Sequence, residues 1–159
     1  MLHTQQIVQN MMVHHGLQVP NTARNVFAYG TQTAGLFFTG NRAPAGNESL
    51  HTEEYDGTNW TNAGDYPQEK RGGAASGIQT AALGFGGTLD PGTTTVAAYY
   101  NGTAWATTAS TTLSREFGSG TPSGTSIAAL LASGNAEPGV TNVTEEFSDV
   151  ATVRSVDTT

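Results

Sequence analysis

Two nine-residue stretches decide the fold of this chain. EEYDGTNWT occupies residues 53–61, and AYYNGTAWA occupies residues 98–106. Each has an aromatic residue, then Asp-Gly or Asn-Gly, then Thr and, one residue later, Trp. Both dipeptides favour a tight hairpin turn because they supply the positive φ angles that such a turn needs. The stretches therefore predict two equivalent hairpins with large aromatics facing each other across the strands, Tyr55 with Trp60 and Tyr100 with Trp105.

The hairpins belong to a repeat of about 47 residues. TAGLFFTG (33–40), TAALGFGG (80–87) and IAALLASG (127–134) begin at this interval, and Pro44, Pro91 and Pro138 follow with the same spacing. The first unit is two residues longer between its Pro and its Tyr, and two residues shorter between Trp60 and Gly77. A fixed period with small insertions in the connections is the signature of a structural repeat.

The repeats begin near Arg24, because RNVFAYGTQTA (24–34) matches RGGAASGIQTA (71–81). After Phe147 the third unit has neither Asn-Gly nor Trp, so it is incomplete. We expect an N-terminal arm or anchor at 1–23 and a β-repeat domain at 24–159, with units at about 24–70, 71–114 and 115–159.

Each unit predicts four strands. In the second unit these are GAAS around Ala74, TAALGFG with Ala81, Leu83 and Phe85 alternating toward one face, TVAAYY and AWATTA. The expected fold is all-β, with about three four-stranded units. Its repeat hairpin and core residues are Tyr55, Asp56, Gly57, Trp60, Tyr100, Asn101, Gly102, Trp105 and Phe147.

Composition and charge exclude several classes of function. Only 12% of the residues are charged, the formal net charge is −7, and there are six Lys and Arg in all. Nucleic-acid and anionic-membrane binding rest on clustered basic residues, which this chain lacks. It has no cysteine, which excludes disulfides and thiolate chemistry. No apolar run is long enough to cross a bilayer, so no membrane insertion is expected.

The candidates for catalysis and metal binding are weak. His3, His14, His15 and His51 lack a metal-ligand spacing, so we expect solvated or interface histidines and no metal or cofactor. Glu53-Glu54 and Glu145-Glu146 could be the paired carboxylates of a glycosidase. They occupy equivalent repeat positions, however, which favours solvated strand residues over a unique catalytic pair. We expect no enzyme.

Loop and hairpin residues are the candidates for ligand contacts. The variable connections contain Asn41, Asn47 and Asp90-Pro91-Gly92, and loops on a rigid β scaffold commonly carry binding residues. A glycan could bind there with Trp60 or Trp105 as a stacking platform. Packing of both Trp residues within the fold is the favoured interpretation. The glycosylation-like patterns at Asn47, Asn59, Asn101 and Asn142 are expected by chance in a chain rich in Asn and Thr, and turn chemistry explains two of them.

The segment before the repeats predicts a short helix or an extended arm. Thr4 can cap a helix, Gly16 can end it, and Pro20 follows. The apolar side would carry the possible interface residues Ile7, Val8, Met11 and Met12. A helix this short is marginal alone, so this side is expected to rest on the chain's own repeats or on a partner subunit.

The repeat resembles the kelch motif of β-propellers over about residues 24–150. The carrying residues are Gly86-Gly87, Tyr100-Asn101, Trp105 and Arg115, and before them Tyr55-Asp56, Trp60 and Arg71. Thr39-Gly40 and Ser133-Gly134 keep only the second glycine of the pair. The phrases TEEYDGTNWT and QTAALGFGG further resemble kelch-like repeats in tail, fibre and other virion proteins of marine bacteriophages, including cyanophages.

The resemblance implies that this chain does not act alone. Propellers close with about four to eight blades, and this chain has about three. Completion would come from two copies forming one ring, from packing on another protein, or from a trimeric fibre-like stack. The resemblance therefore implies a non-enzymatic structural or adhesive virion component, a homo-oligomer with other virion proteins as partners. It would assemble in the host cytoplasm and be extracellular in the mature particle. The alternative is a module that binds carbohydrate or a receptor on the host surface, and a third reading is an enzyme subunit that shares its active site with another chain.

Overall fold

The structure is a computed structural model, and it describes residues 23–42, 47–121, 125, 127–149 and 152–156. The predicted N-terminal arm, with Ile7, Val8, Met11 and Met12, lies outside the described residues, as do His3, His14 and His15. The described part of the chain contains strands and no helix, and hence no helix able to cross a membrane.

Three four-stranded antiparallel sheets form the body of the protein, and each is a meander in chain order. Unit 1 contains β2 (Phe27–Thr31), β3 (Ala34–Phe38), β5 (Thr52–Tyr55) and β6 (Trp60–Asn62). Unit 2 contains β7 (Ala74–Ile78), β8 (Ala81–Phe85), β9 (Ala97–Tyr100) and β10 (Trp105–Thr107). Unit 3 contains β11 (Ser119–Gly120), β12 (Ala129–Ala132), β15 (Thr144–Asp149) and β16 (Thr152–Val156). Two short pairs lie outside these sheets: β1 (Ala23–Arg24) with β4 (Asn41–Arg42), and β13 (Asn135–Ala136) with β14 (Gly139–Val140).

The middle sheet is buried on both faces. Successive side chains of a strand point to opposite faces, so the alternation predicted for β8 separates two sets of residues. Ala82 belongs to a cluster with residues of unit 1, whereas Leu83 and Phe85 belong to a cluster with residues of unit 3. Unit 2 therefore lies between units 1 and 3, and the expected all-β fold of three four-stranded units is confirmed.

Two apolar clusters hold the three sheets together. The cluster between units 1 and 2 contains Phe27, Leu36, Phe38, Tyr66, Ala75, Ala82, Ala98 and Tyr100. The cluster between units 2 and 3 contains Ala74, Leu83, Phe85, Ala97, Ala129, Leu131 and Phe147. In the first cluster the alanines of unit 2 face the larger Phe and Leu side chains of unit 1, which lets these two sheets approach closely.

The first strands of the units lie side by side, with β7 against both β2 and β11. The backbones of β7 and β11 are so close that a Cβ atom on Gly120 would lie 1.9 Å from the carbonyl oxygen of Ala75. The Ser76 hydroxyl also donates to the carbonyl oxygen of Thr121 at 2.6 Å. Glycine at position 120 is therefore required by the contact between units 2 and 3.

The hairpin turns differ from the prediction in their mechanism. Tyr55 pairs with Trp60 and Tyr100 with Trp105, so each turn contains four residues. Gly57 and Gly102 have positive φ, but Asp56 and Asn101 do not, and the prediction for these two was wrong. Instead, each side chain accepts two hydrogen bonds from the backbone N–H groups two and three residues later. The side-chain oxygens of these Asx turns replace the second left-handed residue.

The repeat register of the basic residues also needs correction. The sequence aligned Arg71 with Arg115, but the structure makes Lys70 the counterpart of Arg115. The carbonyl oxygen of Lys70 accepts from the Gly40 N–H, and that of Arg115 accepts from the Gly87 N–H, in equivalent positions of units 1 and 2. The alignment failed because unit 3 has its two extra residues later in the chain than expected. They lie between β11 and β12, whereas the equivalent strands of unit 2, β7 and β8, are joined by only two residues.

Lys70 is buried at this position without an anionic partner. Its amine donates to the Tyr66 hydroxyl at 2.8 Å and to the carbonyl oxygen of Val96 at 3.4 Å, and it lies 4.3 Å from the centre of the Tyr66 ring. Among the described residues no carboxylate forms a salt bridge with it. Burial therefore lowers the pKa of Lys70 well below its ordinary value, because the charged form loses its hydration.

We expect Lys70→Met to raise the free energy of unfolding at neutral pH, by on the order of 1 kcal/mol. In the unfolded chain Lys70 is protonated below its ordinary pKa of 10.5, so folding releases a proton at any pH between the lowered folded-state pKa and 10.5. The contribution of Lys70 to stability is therefore most favourable above 10.5 and declines as the pH falls toward its lowered pKa in the folded state. Urea unfolding at about pH 7 and about pH 9 should show a smaller pH dependence for the variant than for the parent. An equal dependence in both proteins would contradict the lowered pKa of Lys70.

Candidate interaction faces

Each unit has two faces, defined by the alternation along its strands. The face toward the preceding unit is called here the leading face, and the face toward the following unit is called the trailing face. The trailing face of unit 1 carries Leu36, Phe38, Thr52 and Glu54, and it packs on the leading face of unit 2, with Ala82, Ala98, Tyr100 and Trp105.

Three side chains of unit 2 donate hydrogen bonds to unit 1. The Trp105 indole Nε1–H donates to Thr52 Oγ1 at 2.8 Å, and the Tyr100 hydroxyl donates to Glu54 Oε1 at 2.8 Å. The Gln79 amide donates to the carbonyl oxygens of Gly35 at 3.2 Å and Tyr55 at 3.1 Å. These bonds fix the alignment of the two sheets, because each donor has one acceptor at a defined height on the neighbouring unit.

The pKa of Tyr100 is raised, mainly by burial and further by its hydrogen bond to Glu54 and the charge of that carboxylate. The phenol therefore keeps its proton to a higher pH than an exposed tyrosine does. Trp105 also packs against Phe38 and Tyr66, with ring centres 4.5 Å and 4.7 Å apart. Its indole is thus part of the contact between units 1 and 2 rather than a free stacking platform.

The contact between units 2 and 3 replaces these polar pairs by apolar ones. Ala97 and Tyr99 stand at the repeat positions of Thr52 and Glu54, and Phe147 stands at the position of Tyr100. Phe147 stacks on Phe85 with ring centres 5.1 Å apart. The acceptors on the unit 2 side and the phenol donor on the unit 3 side are thus both replaced. These replacements therefore do not leave one partner of a hydrogen bond buried without the other.

A buried ion pair stabilises the same contact. Arg115 Nη2 lies 2.6 Å from Glu145 Oε2, and Arg115 Nη1 donates to the carbonyl oxygen of Val143 at 2.6 Å. The backbone N–H and the hydroxyl of Thr112 donate to the other carboxylate oxygen. Both charged side chains are almost completely buried, and these hydrogen bonds replace most of the water that each has lost, although Arg115 Nε has no partner among the described residues.

The prediction that the paired glutamates are solvated strand residues was wrong for one member of each pair. Glu53 is 4% exposed and Glu145 is 0% exposed. Glu145 points toward unit 2 because its partner, Arg115, lies in the connection between the two units. Glu54 accepts from Tyr100 and contributes to the contact with unit 2. Two of these four carboxylates are thus held in contacts between units, which does not fit a glycosidase pair.

We expect Glu145→Ala to lower the free energy of unfolding by about 3–5 kcal/mol, because it leaves the charge of Arg115 buried and unpaired. Chemical denaturation measures this loss. The matched control is Glu69→Ala, at an exposed glutamate outside the contacts between units, and it should change stability by less than about 0.5 kcal/mol. Equal effects of the two substitutions would refute the role of the ion pair.

The hydrogen bond between Trp105 and Thr52 can be measured by a double-mutant cycle. Trp105→Phe and Thr52→Val should each lower the free energy of unfolding by about 1–2 kcal/mol, since each leaves one partner unsatisfied. The double variant should lose less than the sum of the two, with a coupling energy of about 1 kcal/mol. Strict additivity would mean that the indole and the hydroxyl do not interact.

The outer faces of the end units carry similar residues. On the leading face of unit 1, Trp60 contacts Phe37 at 4.8 Å and Tyr55 at 4.9 Å between ring centres. Phe37 and Tyr55 are buried, and Trp60 is half-buried. Within the described part of the chain, neither the Trp60 indole nor the Tyr55 hydroxyl forms a hydrogen bond. The same is true of the side chain of Gln32, which is exposed and stands at the repeat position of Gln79.

The trailing face of unit 3 exposes a repeat position that is buried in the other units. Leu36 and Leu83 are both 0% exposed, whereas their counterpart Leu130 is 41% exposed. Thr144 and Glu146, which stand at the positions of Thr52 and Glu54, lie on the same face and are half-buried.

The other candidate residues do not converge on one site. His51 lies 3.3 Å from Asp65 and 3.1 Å from Arg42 on the surface. Asn41 accepts from Asn25, the Asn47 carbonyl accepts from the Arg42 N–H, and the Asp90–Gly92 turn is closed by a bond from Leu89 to Gly92. In the described ranges no group of three or more His, Asp or Glu residues could hold a metal ion.

Sequence reasoning did not identify Gln79 or Lys70 as contact residues, and it did not single out Thr144. A signal for Gln79 was present, since Gln recurs before Thr-Ala at positions 32 and 79. Lys70 was hidden by the incorrect alignment with Arg71. Thr144 becomes informative only when its counterpart Thr52 is known to accept from Trp105.

The solved structure of YjhT is similar to this chain in fold. The two share 16% sequence identity and superpose with a TM-score of 0.70, over 88% of this chain and 47% of that chain. This chain therefore spans about half the length of YjhT. No protein-family model matches the chain, and the search of curated proteins gave no match either. At this identity the comparison supports the fold alone: sheets stacked as in these three units also occur in a chain about twice as long.

Proposed function

We propose that this protein is a non-enzymatic structural or adhesive component of a bacteriophage particle, in a tail, a fibre or the capsid surface, and that it acts through subunit association. The observation that carries the proposal is the exposure of Leu130. The same repeat position is completely buried in units 1 and 2, where the next unit covers it.

The repeat architecture supports association. A sheet of such an array buries an apolar face only against a neighbour, and a unit without a neighbour on one side needs a polar outer face. The exposed Leu130 makes the trailing face of unit 3 partly apolar. Ile127, at the start of the same repeat segment, is also an exposed apolar residue. An apolar terminal face favours a covering partner.

The placement on a phage particle rests on the resemblance of the Thr-, Asn- and Gly-rich repeat phrases to those of virion proteins. The repeat unit is rigid because its faces are closely packed. Such a unit can hold a surface at a fixed distance from a particle. Its mature location would be the extracellular virion, after assembly in the host cytoplasm.

Immunogold electron microscopy tests this proposal. Antibodies raised against the purified chain should label phage particles from the source lysate at one defined place, and the chain should sediment with the particles. The control is the same serum after adsorption with the pure chain, which should remove the label. If the chain stays in the supernatant and no particle is labelled, the virion role is wrong.

A second candidate function is carbohydrate or receptor binding, and the position of Trp60 favours it. Its half-buried indole lies beside Tyr55 on an outer face, and aromatic rings of this kind stack on sugar rings. A glycan that raises the melting temperature of the parent, but not of Trp60→Ala, would support this function. No shift across a glycan panel would exclude it.

A further inference from the structure

We propose that a second copy of this chain docks its unit 1 leading face on the unit 3 trailing face of the first copy. Applied twice, this contact closes two copies into a ring of six units. The inference rests on the proposed function, because it names the partner through which the chain associates. The template for the contact is the interface between units 1 and 2 within the chain.

The first pair in the template is Trp105 with Thr52. Trp60 is the counterpart of Trp105, and Thr144 is the counterpart of Thr52. The Trp60 indole has no acceptor among the described residues, and Thr144 lies on the opposite end of the array. In the docked pair the Trp60 Nε1–H donates to Oγ1 of Thr144 in the second copy.

The second pair in the template is Tyr100 with Glu54. Tyr55 and Glu146 are their counterparts on the two end faces. The Tyr55 hydroxyl forms no hydrogen bond within the described residues. A carboxylate accepts several hydrogen bonds, so Glu146 can accept from Tyr55 whatever else it contacts within its own chain.

The third pair in the template is Gln79 with the carbonyl oxygens of Gly35 and Tyr55. Gln32 is the counterpart of Gln79 and is exposed in the turn between β2 and β3. The corresponding carbonyl oxygens in unit 3 belong to Ala129 and Phe147, which are partners across β12 and β15. Gln32 is therefore placed to donate to both of them in a second copy.

The contact between units 2 and 3 shows that these polar residues are not a fixed feature of the repeat. There Ala97, Tyr99 and Phe147 replace the hydroxyl acceptor, the carboxylate and the phenol donor, so both sides have changed together. The donors have been kept on the leading face of unit 1 and the acceptors on the trailing face of unit 3. If these two faces bind each other, we expect donors to be retained on one face and their acceptors on the other.

The apolar part of the contact agrees with this pairing. Leu130 would occupy the place that Leu36 occupies against unit 2, and its exposed side chain would become buried against unit 1 of the other copy.

Light scattering after gel filtration tests the proposal on the full chain. The parent should have twice the 16.5 kDa chain mass. Leu130→Arg, on the trailing face, and Gln32→Glu, facing carbonyl oxygens, should each weaken the pair by about tenfold or more in dissociation constant. Both positions are exposed, so circular dichroism should show intact folding. Val140→Arg is the matched control, because Val140 is 85% exposed but lies in the β13–β14 hairpin, which is not part of the four-stranded sheet of unit 3.

Mixing the two interface variants distinguishes head-to-tail contact from other arrangements. An equimolar mixture of Leu130→Arg and Gln32→Glu should recover the double mass. One of its two contacts is then unmodified, and the two introduced charges meet with opposite sign in the other. Failure to recover, a trimeric parent, or a folded monomeric parent would overturn the inference. Labelling of phage particles by the antibody, with a monomeric chain in solution, would leave the proposed function standing and exclude only this partner.

Discussion

The structure depends on one constraint, which is that the middle sheet is buried on both faces. A four-stranded antiparallel sheet with one wet face would show polar residues on every second position. Strand β8 instead has Ala82 and Gly84 toward one neighbour and Leu83 and Phe85 toward the other, all buried. The order of the three units and the close approach of β7 and β11 follow from the need to cover both faces. The composition of each end face follows from the same need.

Polar groups in these contacts mostly occur as matched sets. Between units 1 and 2 they include hydrogen-bonded donors and acceptors on the outer strands. Between units 2 and 3 they include the ion pair of Arg115 and Glu145 with Thr112, and the bond of Ser76 to Thr121. Lys70 shows what happens when one half of a set is absent. Its repeat counterpart, Arg115, has a carboxylate at Glu145, whereas the corresponding position opposite Lys70 is Ala98. The pKa of this lysine is lowered, and its amine contacts the Tyr66 ring and hydroxyl.

The repeat, the number of strands per unit and the aromatic pairs across each hairpin could be predicted from the sequence, since they depend on local spacing. The Asx mechanism at Asp56 and Asn101 could not, because the same residues suit a two-residue turn with positive φ and a four-residue turn with side-chain capping. The burial of Glu145 depends on Arg115, which is 30 residues away in the chain. Alternation along the strand predicts that Glu145 and Glu146 face opposite sides, but it does not tell which side is covered.

The two-faced middle sheet has a consequence for folding. Each four-stranded sheet pairs its strands in the order in which they occur along the chain, so each meander can form through local contacts. Unit 2, however, has no face that tolerates water, and its separate formation would expose Leu83 and Phe85 on one side and Ala82 and Tyr100 on the other. Its stability is therefore supplied by its neighbours, and the three units should unfold in a single cooperative transition rather than one after another.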